Sequence, residues 1–285
     1  MFSACAGNAL DYAAALASAM GARLVLFNAF SLSAPPAVHP AFVPSASVLI
    51  RENNERLTRL AGSIAEAYQL EVSCYSTNDL LMPSLSRQVK KQHAELVVLG
   101  LKGHSLVTRL FGSTAITVLK NARFPVLIVP EEARFRGIRR MLFACEYGYL
   151  GRHTPLAPVQ ALAAAFRAQV EILHVEKEEP LQPKDRKPML RRAPNLEEVL
   201  KGIKHSYRYL TEENVLAGIQ QRIDEYHADM LVMVPHKASL WEALLHSSHT
   251  RQMALRSPIP LLALPSNPHA QRPARAARPA SSPSA

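Results

Sequence analysis

The sequence is poor in cysteine and has no long hydrophobic run. Its three cysteines, Cys5, Cys74 and Cys145, lie far apart among 285 residues. Their lack of paired spacing argues against a disulfide framework and a cysteine-rich zinc site, and we expect small buried side chains in a reducing cytoplasm. A membrane-spanning helix needs about 20 consecutive apolar residues, which no stretch provides, so we expect no membrane partner. The alanine-rich residues 1–22 predict an amphipathic helix rather than a signal peptide.

Acidic residues are also scarce. The chain carries 33 basic and 23 acidic side chains, a formal net charge of +10, which favours anionic ligands or nucleic acid. Much of the excess positive charge lies in two short segments, residues 184–192 and 272–279. Neither segment alternates aromatic with basic residues as a base-stacking surface does, so we do not expect nucleic acid as the main partner. The tail, residues 267–285, has too few apolar residues for a core and predicts disorder.

The chain contains an internal duplication. Residues 93–130 read HAELVVLGLKGHSLVTRLFGSTAITVLKNARFPVLIVP, and residues 227–265 read HADMLVMVPHKASLWEALLHSSHTRQMALRSPIPLLALP. Each copy begins with His-Ala-acid, continues through an apolar strand, a polar turn and a helical stretch, and ends in a short strand closed by proline. Repeats so far apart indicate two related domains rather than a solenoid. We place the domains at residues 1–131 and 138–266, with a short linker that predicts direct packing between them.

Both halves alternate strand-like and helical patterns. Apolar runs bounded by turn-forming residues predict strands buried on both faces, as in a parallel sheet covered by helices. The predicted strands are residues 22–30, 71–77, 94–101, 125–130, 139–146, 169–176, 204–211, 229–236 and 259–265. Helices are predicted over residues 45–69, 156–168 and 213–226. Right-handed crossovers then give an α/β fold of two tandem doubly wound, Rossmann-like parallel-sheet domains.

The two halves differ at their beginnings. The second half opens with a predicted strand, residues 139–146, whereas the first opens directly with a helix from about Ala4. We therefore predict that the first domain lacks its first strand. Because a parallel sheet that loses a strand exposes an unpaired edge, we interpret this as a fragment or a start-site problem rather than as a stable four-stranded domain.

The stretch GLKGHSLVTRLFGST, residues 100–114, separates a predicted strand from a predicted helix. Its three glycines let backbone amides approach a phosphate closely, and the following helix start adds free N–H groups and a positive dipole end. Its hydroxyls, with Lys102 and Arg109 nearby, suit an anion as well as a helix cap. The candidate ligands are Gly100, Gly103, His104, Gly112, Ser113 and Thr114. From the residues alone, a phosphate-binding loop and a simple turn both remain open.

This stretch, followed by the strand VLIVP, resembles the carboxyl-terminal signature of the universal stress protein family: Gly, two residues, Gly, nine residues, Gly, then Ser or Thr. The opening FSACAGNALDYAAALA is similar to the family's first helix, and the duplication resembles its tandem members. The resemblance covers residues 2–130 well and 139–265 more weakly. Eight residues separate Gly103 from Gly112, one fewer than in the signature. The family's first strand, which carries an adenine-binding aspartate, is not in this sequence.

The resemblance implies a five-stranded, adenine nucleotide alpha hydrolase-like fold for each domain. It implies a non-catalytic cytoplasmic protein that acts in stress response or signalling and binds ATP or AMP in its first domain. The second copy lacks all three glycines, so no cofactor is expected there. The aligned pairs are Gly100 with Val234, Gly103 with Lys237, and Gly112 with Ser247. Relatives often pair domains through the last strand, which here implies an intrachain pseudo-dimer of PVLIVP with PLLALP, and a homodimer as a further expectation.

Other interpretations stay open. The same fold without nucleotide would be a protein-interaction module, and a different class would be an enzyme that hydrolyses or transfers nucleotide phosphates. His236, His246 and His249 indicate a metal site only weakly, because no carboxylate or cysteine lies at a matching offset. The sequence contains no acid, base and metal constellation of the type that phosphoryl transfer uses. We therefore expect neither a metal nor catalysis.

Overall fold

This structure is a computed structural model, and it describes residues 3–30, 45–101, 113–145, 155–176, 194–234 and 259–265. The helices are α1 (Ala4–Met20), α2 (Ala46–Tyr68), α3 (Leu81–Lys91), α4 (Ser113–Asn121), α5 (Ala157–Phe166), α6 (Pro194–Val199) and α7 (Val215–Tyr226). The strands are β1 (Leu24–Ala29), β2 (Val72–Thr77), β3 (Val97–Leu101), β4 (Val126–Pro130), β5 (Arg140–Ala144), β6 (Gln169–Glu176), β7 (His205–Thr211), β8 (Met230–Met233) and β9 (Leu261–Ala263).

The order of elements confirms the predicted α/β fold. The predicted strands and helices of the described residues form close to their predicted ends, whereas the helical stretch predicted in the second copy of the repeat lies outside the described residues. The residue pattern does not predict α3 and α6. Helix α3 contains Pro83, but that residue lies in the first turn, where its missing N–H group removes no hydrogen bond of the helix. Helix α6 has only 6 residues, too few for a periodic apolar pattern.

The strands form one large sheet and one small one. The large sheet has seven strands in the order β3-β4-β9-β8-β5-β6-β7, and the small sheet pairs β1 with β2. Neighbouring strands are parallel except β4 and β9, which run antiparallel with Leu127 opposite Leu262. This pair joins the two halves of the chain edge to edge. It confirms the predicted pairing of the last strands within the chain and makes the large sheet continuous across both halves.

The sheet is interrupted at the position where the sequence predicts a missing strand. In the second half β5 lies between β8 and β6, in a complete five-stranded order of β9-β8-β5-β6-β7. In the first half β4 and β3 match β9 and β8, and β1 and β2 match β6 and β7. No described strand joins β3 to β1. We call this position between β1 and β3 the strand gap.

Two hydrophobic clusters cover the two faces of the large sheet and contain residues of both halves. The first cluster includes Tyr12, Leu127 and Phe143, and the second includes Ile128 and Leu142. Successive residues of one strand enter different clusters because side chains alternate between the faces of a sheet. The halves therefore share one core on each face.

The linker between the halves is packed into this core. Phe135 lies edge-on to Tyr12 of α1, with ring centroids 5.3 Å apart, and to Phe166 of α5, at 5.6 Å. The side-chain amide of Asn8 on α1 donates a hydrogen bond of 3.0 Å to the carbonyl oxygen of Ala133 in the linker. Aromatic and polar contacts thus fix both domains to the linker, which confirms the expected direct packing.

Tyr12 is expected to make the protein sensitive to alkaline pH. Burial raises the pKa of Tyr12, and the negative charge of Asp229 adds to the effect. The folded protein therefore keeps this proton at a pH where the unfolded chain, with a tyrosine pKa of about 10, has lost it. The free energy of unfolding should fall by about 1.4 kcal/mol per pH unit above pH ~10 from this group alone. Urea titrations should show a shallower fall for Tyr12→Phe, and an unchanged slope would contradict the assignment.

The three cysteines form no disulfide and differ in burial. Cys145 is buried and Cys5 is half-buried, whereas Cys74 is exposed. The prediction of a buried side chain is therefore wrong for Cys74. It lies on β2, an outer strand of the two-stranded sheet, and its Sγ lies 3.8 Å from Oγ1 of Thr58 on α2, where both side chains are exposed.

Candidate functional site

Gly100 lies near the carboxyl end of β3, directly against the first turn of α1. A methyl carbon built on Gly100 would lie 2.2 Å from the carbonyl oxygen of Cys5 and 3.1 Å from the backbone nitrogen of Ala6. Only glycine allows the two backbones to approach so closely. Ser3 is the N-cap of α1, and its side-chain oxygen accepts a hydrogen bond from the Ala6 nitrogen. Gly100 thereby places the amino end of α1 at the carboxyl edge of the sheet.

The amino end of α4 lies at the same edge. Strands β3 and β4 are parallel, so the helix that connects them runs back along the sheet and begins near the carboxyl end of β3. Ser113 and Thr114 are its first two residues, and Thr114 is exposed. Helix amino ends carry free N–H groups and about half a positive charge. Two such ends at one edge favour an anionic ligand.

The structure describes three of the six predicted ligands. Gly100 immediately precedes the end of β3, and Ser113 and Thr114 begin α4, so the structure brings the two ends of the loop to one edge of the sheet. The remaining predicted ligands, Gly103, His104 and Gly112, lie outside the described residues. Both hydroxyl residues stand inside the first turn of α4 rather than before it, which places their own backbone N–H groups among the free donors.

The sequence pattern does not predict that the amino end of α1 lies at this edge of the sheet. The N-cap Ser3 is visible in the sequence as a serine before a helical pattern. Nothing local relates that helix start to Gly100, which follows far along the chain. The contact depends on the tertiary approach of α1 to β3, and a glycine inside a strand pattern is the only signal for such an approach.

Val234 occupies the position in the second domain that corresponds to Gly100. It follows β8, is buried, and belongs to the first hydrophobic cluster. A side chain at this position prevents the backbone approach that Gly100 allows. The carboxyl edge of the second domain is therefore built differently from that of the first, as the loss of the glycines predicts.

The three histidines that weakly indicate a metal site, His236, His246 and His249, lie outside the described residues. Within the described ranges, no three His, Cys, Asp or Glu side chains are grouped so that they can hold a metal ion. No helix in that part of the chain combines the length and the hydropathy needed to cross a bilayer.

Replacing Gly100 with alanine is expected to destabilise the protein by about 1–3 kcal/mol, because the new methyl group would overlap the Cys5 carbonyl and force α1 away from β3. Gly62 provides the matched control, since it is exposed on α2 and a methyl group there would meet nothing within 4 Å. Gly62→Ala should raise stability by up to about 1 kcal/mol. Urea unfolding measures both, and equal effects of the two substitutions would contradict the close approach.

Comparison with known proteins gives one family. The model of the universal stress protein family matches residues 1–130 and 154–265 of the chain. A universal stress protein from Archaeoglobus fulgidus DSM 4304 superposes with a TM-score of 0.65 at 18% sequence identity, over 90% of this chain and 92% of that one. A protein of Pseudomonas aeruginosa UCBPP-PA14 assigned to the same class has a TM-score of 0.54 at 15% identity, over 89% and 86%. These two likenesses concern the fold alone.

More distant similarity adds no functional detail. A universal stress protein in complex with cAMP aligns with 46% of this chain at a TM-score of 0.33 and 18% identity, and its ligand is a property of that protein. No functionally curated protein matches the chain significantly. What this chain binds must therefore be argued from its own residues.

Proposed function

The chain belongs to the universal stress protein family, and on that basis we propose that it serves a stress response or signalling by binding ATP or AMP in its first domain. The proposed ligands are Gly100, Gly103, His104, Gly112, Ser113 and Thr114. The proposed domains are residues 1–131 and 138–266. A cytoplasmic location fits three cysteines that form no disulfide.

One observation carries this proposal: the amino ends of α1 and α4 both lie at the carboxyl edge of β3, one on each face of the sheet. Phosphate groups bind where free backbone N–H groups and positive helix ends converge. Open parallel sheets bind ligands at this edge, beside the point where the strand order reverses. In the first domain the reversal falls between β1 and β3, next to Gly100. The net charge of +10 also favours a polyanionic ligand.

We propose that the second domain serves as a scaffold without nucleotide. Val234 fills the place of Gly100 with a buried side chain, and the aligned Lys237 and Ser247 replace the other two glycines. A β-carbon at these positions obstructs the approach of backbone amides to a phosphate. Strand β9 of the second domain pairs with β4 of the first and so continues the large sheet.

Binding rather than turnover is the better proposal for the first domain. Phosphoryl transfer enzymes hold Mg²⁺ through carboxylates and position a nucleophile with a base. The six proposed ligands contain no carboxylate. A protein-interaction module without nucleotide and a nucleotide phosphate hydrolase or transferase remain the two alternatives.

Calorimetric titration with ATP and with AMP at moderate salt tests the proposal. We expect saturable binding by the unaltered protein and at least about tenfold weaker binding by Gly103→Val, a loss of about 1.4 kcal/mol. The matched control is Gly62→Val, the same change at an exposed position of α2 with open space around it. It should bind as the unaltered protein does.

The other outcomes separate the alternatives. Absence of binding by the unaltered protein would favour the nucleotide-free interaction module. Equal binding by both glycine variants would place a nucleotide site elsewhere in the chain. Release of ADP from ATP in the same samples, lost in Gly103→Val, would favour the hydrolase.

A further inference from the structure

Exposed cations stand at the amino ends of three neighbouring strands of the second domain. Arg139 lies just before β5, Arg167 just before β6 and Lys204 just before β7, and all three residues are exposed. Strands β5, β6 and β7 are adjacent and parallel in the large sheet. Because parallel strands begin at the same edge of a sheet, the three cations lie side by side along that edge.

Backbone hydrogen bonds fix this row of cations. The nitrogen of Gln169 donates to the carbonyl oxygen of Arg139 at 2.8 Å, and the nitrogen of Val170 donates to the carbonyl oxygen of Lys204 at 3.0 Å. Neighbouring strands lie about 4.8 Å apart, so the backbone row from β5 to β7 covers about 10 Å. The spacing of these cations is therefore set by the sheet.

Two further cations extend the row. Lys201 lies in the turn between α6 and β7 and is exposed. Arg136 is also exposed, and it follows Phe135 of the linker, whose ring contacts that of Phe166 at the end of α5. This contact brings the linker to the start of β6. We use the term basic edge for the five residues Arg136, Arg139, Arg167, Lys201 and Lys204.

The positive charge of the basic edge is not neutralised by the described part of the chain. Within the described ranges, none of its five residues forms an ion pair. Asp229 lies beside the row, but its Oδ2 accepts hydrogen bonds from the backbone nitrogens of Arg139 and Arg140, at 2.7 and 2.9 Å. Glu198 is exposed on α6, about one turn before Lys201. Like charges so close together repel one another, and an anionic partner offsets that repulsion.

The apolar side chains beside the basic edge face the core. Phe135, Phe166 and Ile203 are half-buried against the first hydrophobic cluster, and Ile138 is buried in it. Surfaces that lie on a membrane commonly insert apolar side chains among the lipids, and sites for single-stranded nucleic acid stack bases on aromatic rings. Neither kind of group is presented by the described residues of this edge. This favours a partner that is recognised through its phosphate charges alone.

We propose that the basic edge binds the phosphate backbone of double-stranded nucleic acid without reading its bases. Three of its five cations are arginines, whose planar guanidinium groups bind phosphate through two parallel hydrogen bonds. A row of charges along a sheet edge matches a linear polyanion, which releases counterions as its phosphates are neutralised. The surface is separate from the basic segments 184–192 and 272–279, which lie outside the described residues, and it needs no base stacking. It does not depend on the nucleotide proposal.

Fluorescence anisotropy with a labelled DNA duplex of about 20 base pairs tests the proposal on the full-length protein. We expect saturable binding with Kd below about 10 μM at about 50 mM salt, and a steep loss of affinity as the salt concentration rises. The triple variant Arg139→Gln, Arg167→Gln and Lys204→Gln should bind at least about tenfold more weakly. It should also reduce the slope of log K against log salt by about 2–3, because three phosphate contacts are lost.

A matched variant controls for net charge. Arg56→Gln, Arg59→Gln and Lys120→Gln together remove the same number of exposed cations from α2 and α4, and this variant should bind within about threefold of the unaltered protein. Acetylation followed by mass spectrometry locates the duplex without any substitution. The duplex should slow the acetylation of Lys201 and Lys204 by at least about threefold and leave that of Lys120 unchanged.

Several outcomes would overturn the proposal. They are the absence of saturable binding by the unaltered protein, equal weakening by the two triple variants, and equal protection of the three lysines. Vesicles rich in phosphatidylserine probe the other polyanionic partner. If they bind the protein at least as tightly as the duplex does at the same salt concentration, and the first triple variant loses that binding, the basic edge is a membrane surface instead.

Discussion

Leu262→Ala is expected to lower the free energy of unfolding by about 3–4 kcal/mol. Leu262 is fully buried in β9 and lies opposite Leu127 of β4 in the antiparallel pair that joins the two halves. Truncation leaves a cavity in the first hydrophobic cluster, which contains residues of both halves. Because the cavity lies where the halves meet, both should lose stability together, in one cooperative transition.

Leu80 provides the matched control for this substitution. Its side chain is 77% exposed, so Leu80→Ala should change the free energy of unfolding by no more than about 0.5 kcal/mol. Urea unfolding followed by circular dichroism measures both variants. A loss below about 1 kcal/mol for Leu262→Ala, or separate transitions for the two halves in the unaltered protein, would contradict a shared core.

Arg222→Met is expected to lower the free energy of unfolding by about 3–5 kcal/mol. Arg222 of α7 donates from Nε to Oε1 of Glu171 at 2.5 Å and from Nη2 to Oε2 at 2.7 Å. Glu171 is buried on β6, with 5% of its surface exposed. Hydrogen bonding by Glu171 raises the pKa of Arg222 further above its usual value. Removal of the guanidinium leaves a buried carboxylate without its charge partner, which costs far more than the pair itself contributes.

An exposed ion pair in the same protein serves as the comparison. Arg51 and Glu55 of α2 lie 3.9 Å apart, with side chains 70% and 56% exposed. Arg51→Met should cost no more than about 0.5 kcal/mol. The double variant Glu171→Leu with Arg222→Met removes both charges and should recover most of the loss. Equal costs for Arg222→Met and Arg51→Met would show that burial of Glu171 does not govern the effect.

The sequence by itself determined the elements and their order. Apolar runs such as MLFA and VLIV predict strands because residues that face a core are mostly apolar, whatever the partner strand is. Comparison of the two copies predicts the absence of a first strand, and the interruption between β1 and β3 lies at that position. The glycine-rich stretch predicts a loop at the carboxyl end of β3. Both of its ends are there, although three of the six proposed ligands lie outside the described residues.

Only the tertiary structure decided which distant residues meet. The first turn of α1 contacts Gly100, Leu127 lies opposite Leu262, and Glu171 binds Arg222. None of these contacts has a local signature, since periodicity reports which face of an element is buried and not what buries it. The physical reason is that propensity, capping and periodicity act over a few residues, whereas pairing between distant segments depends on how all the elements fill one shared core.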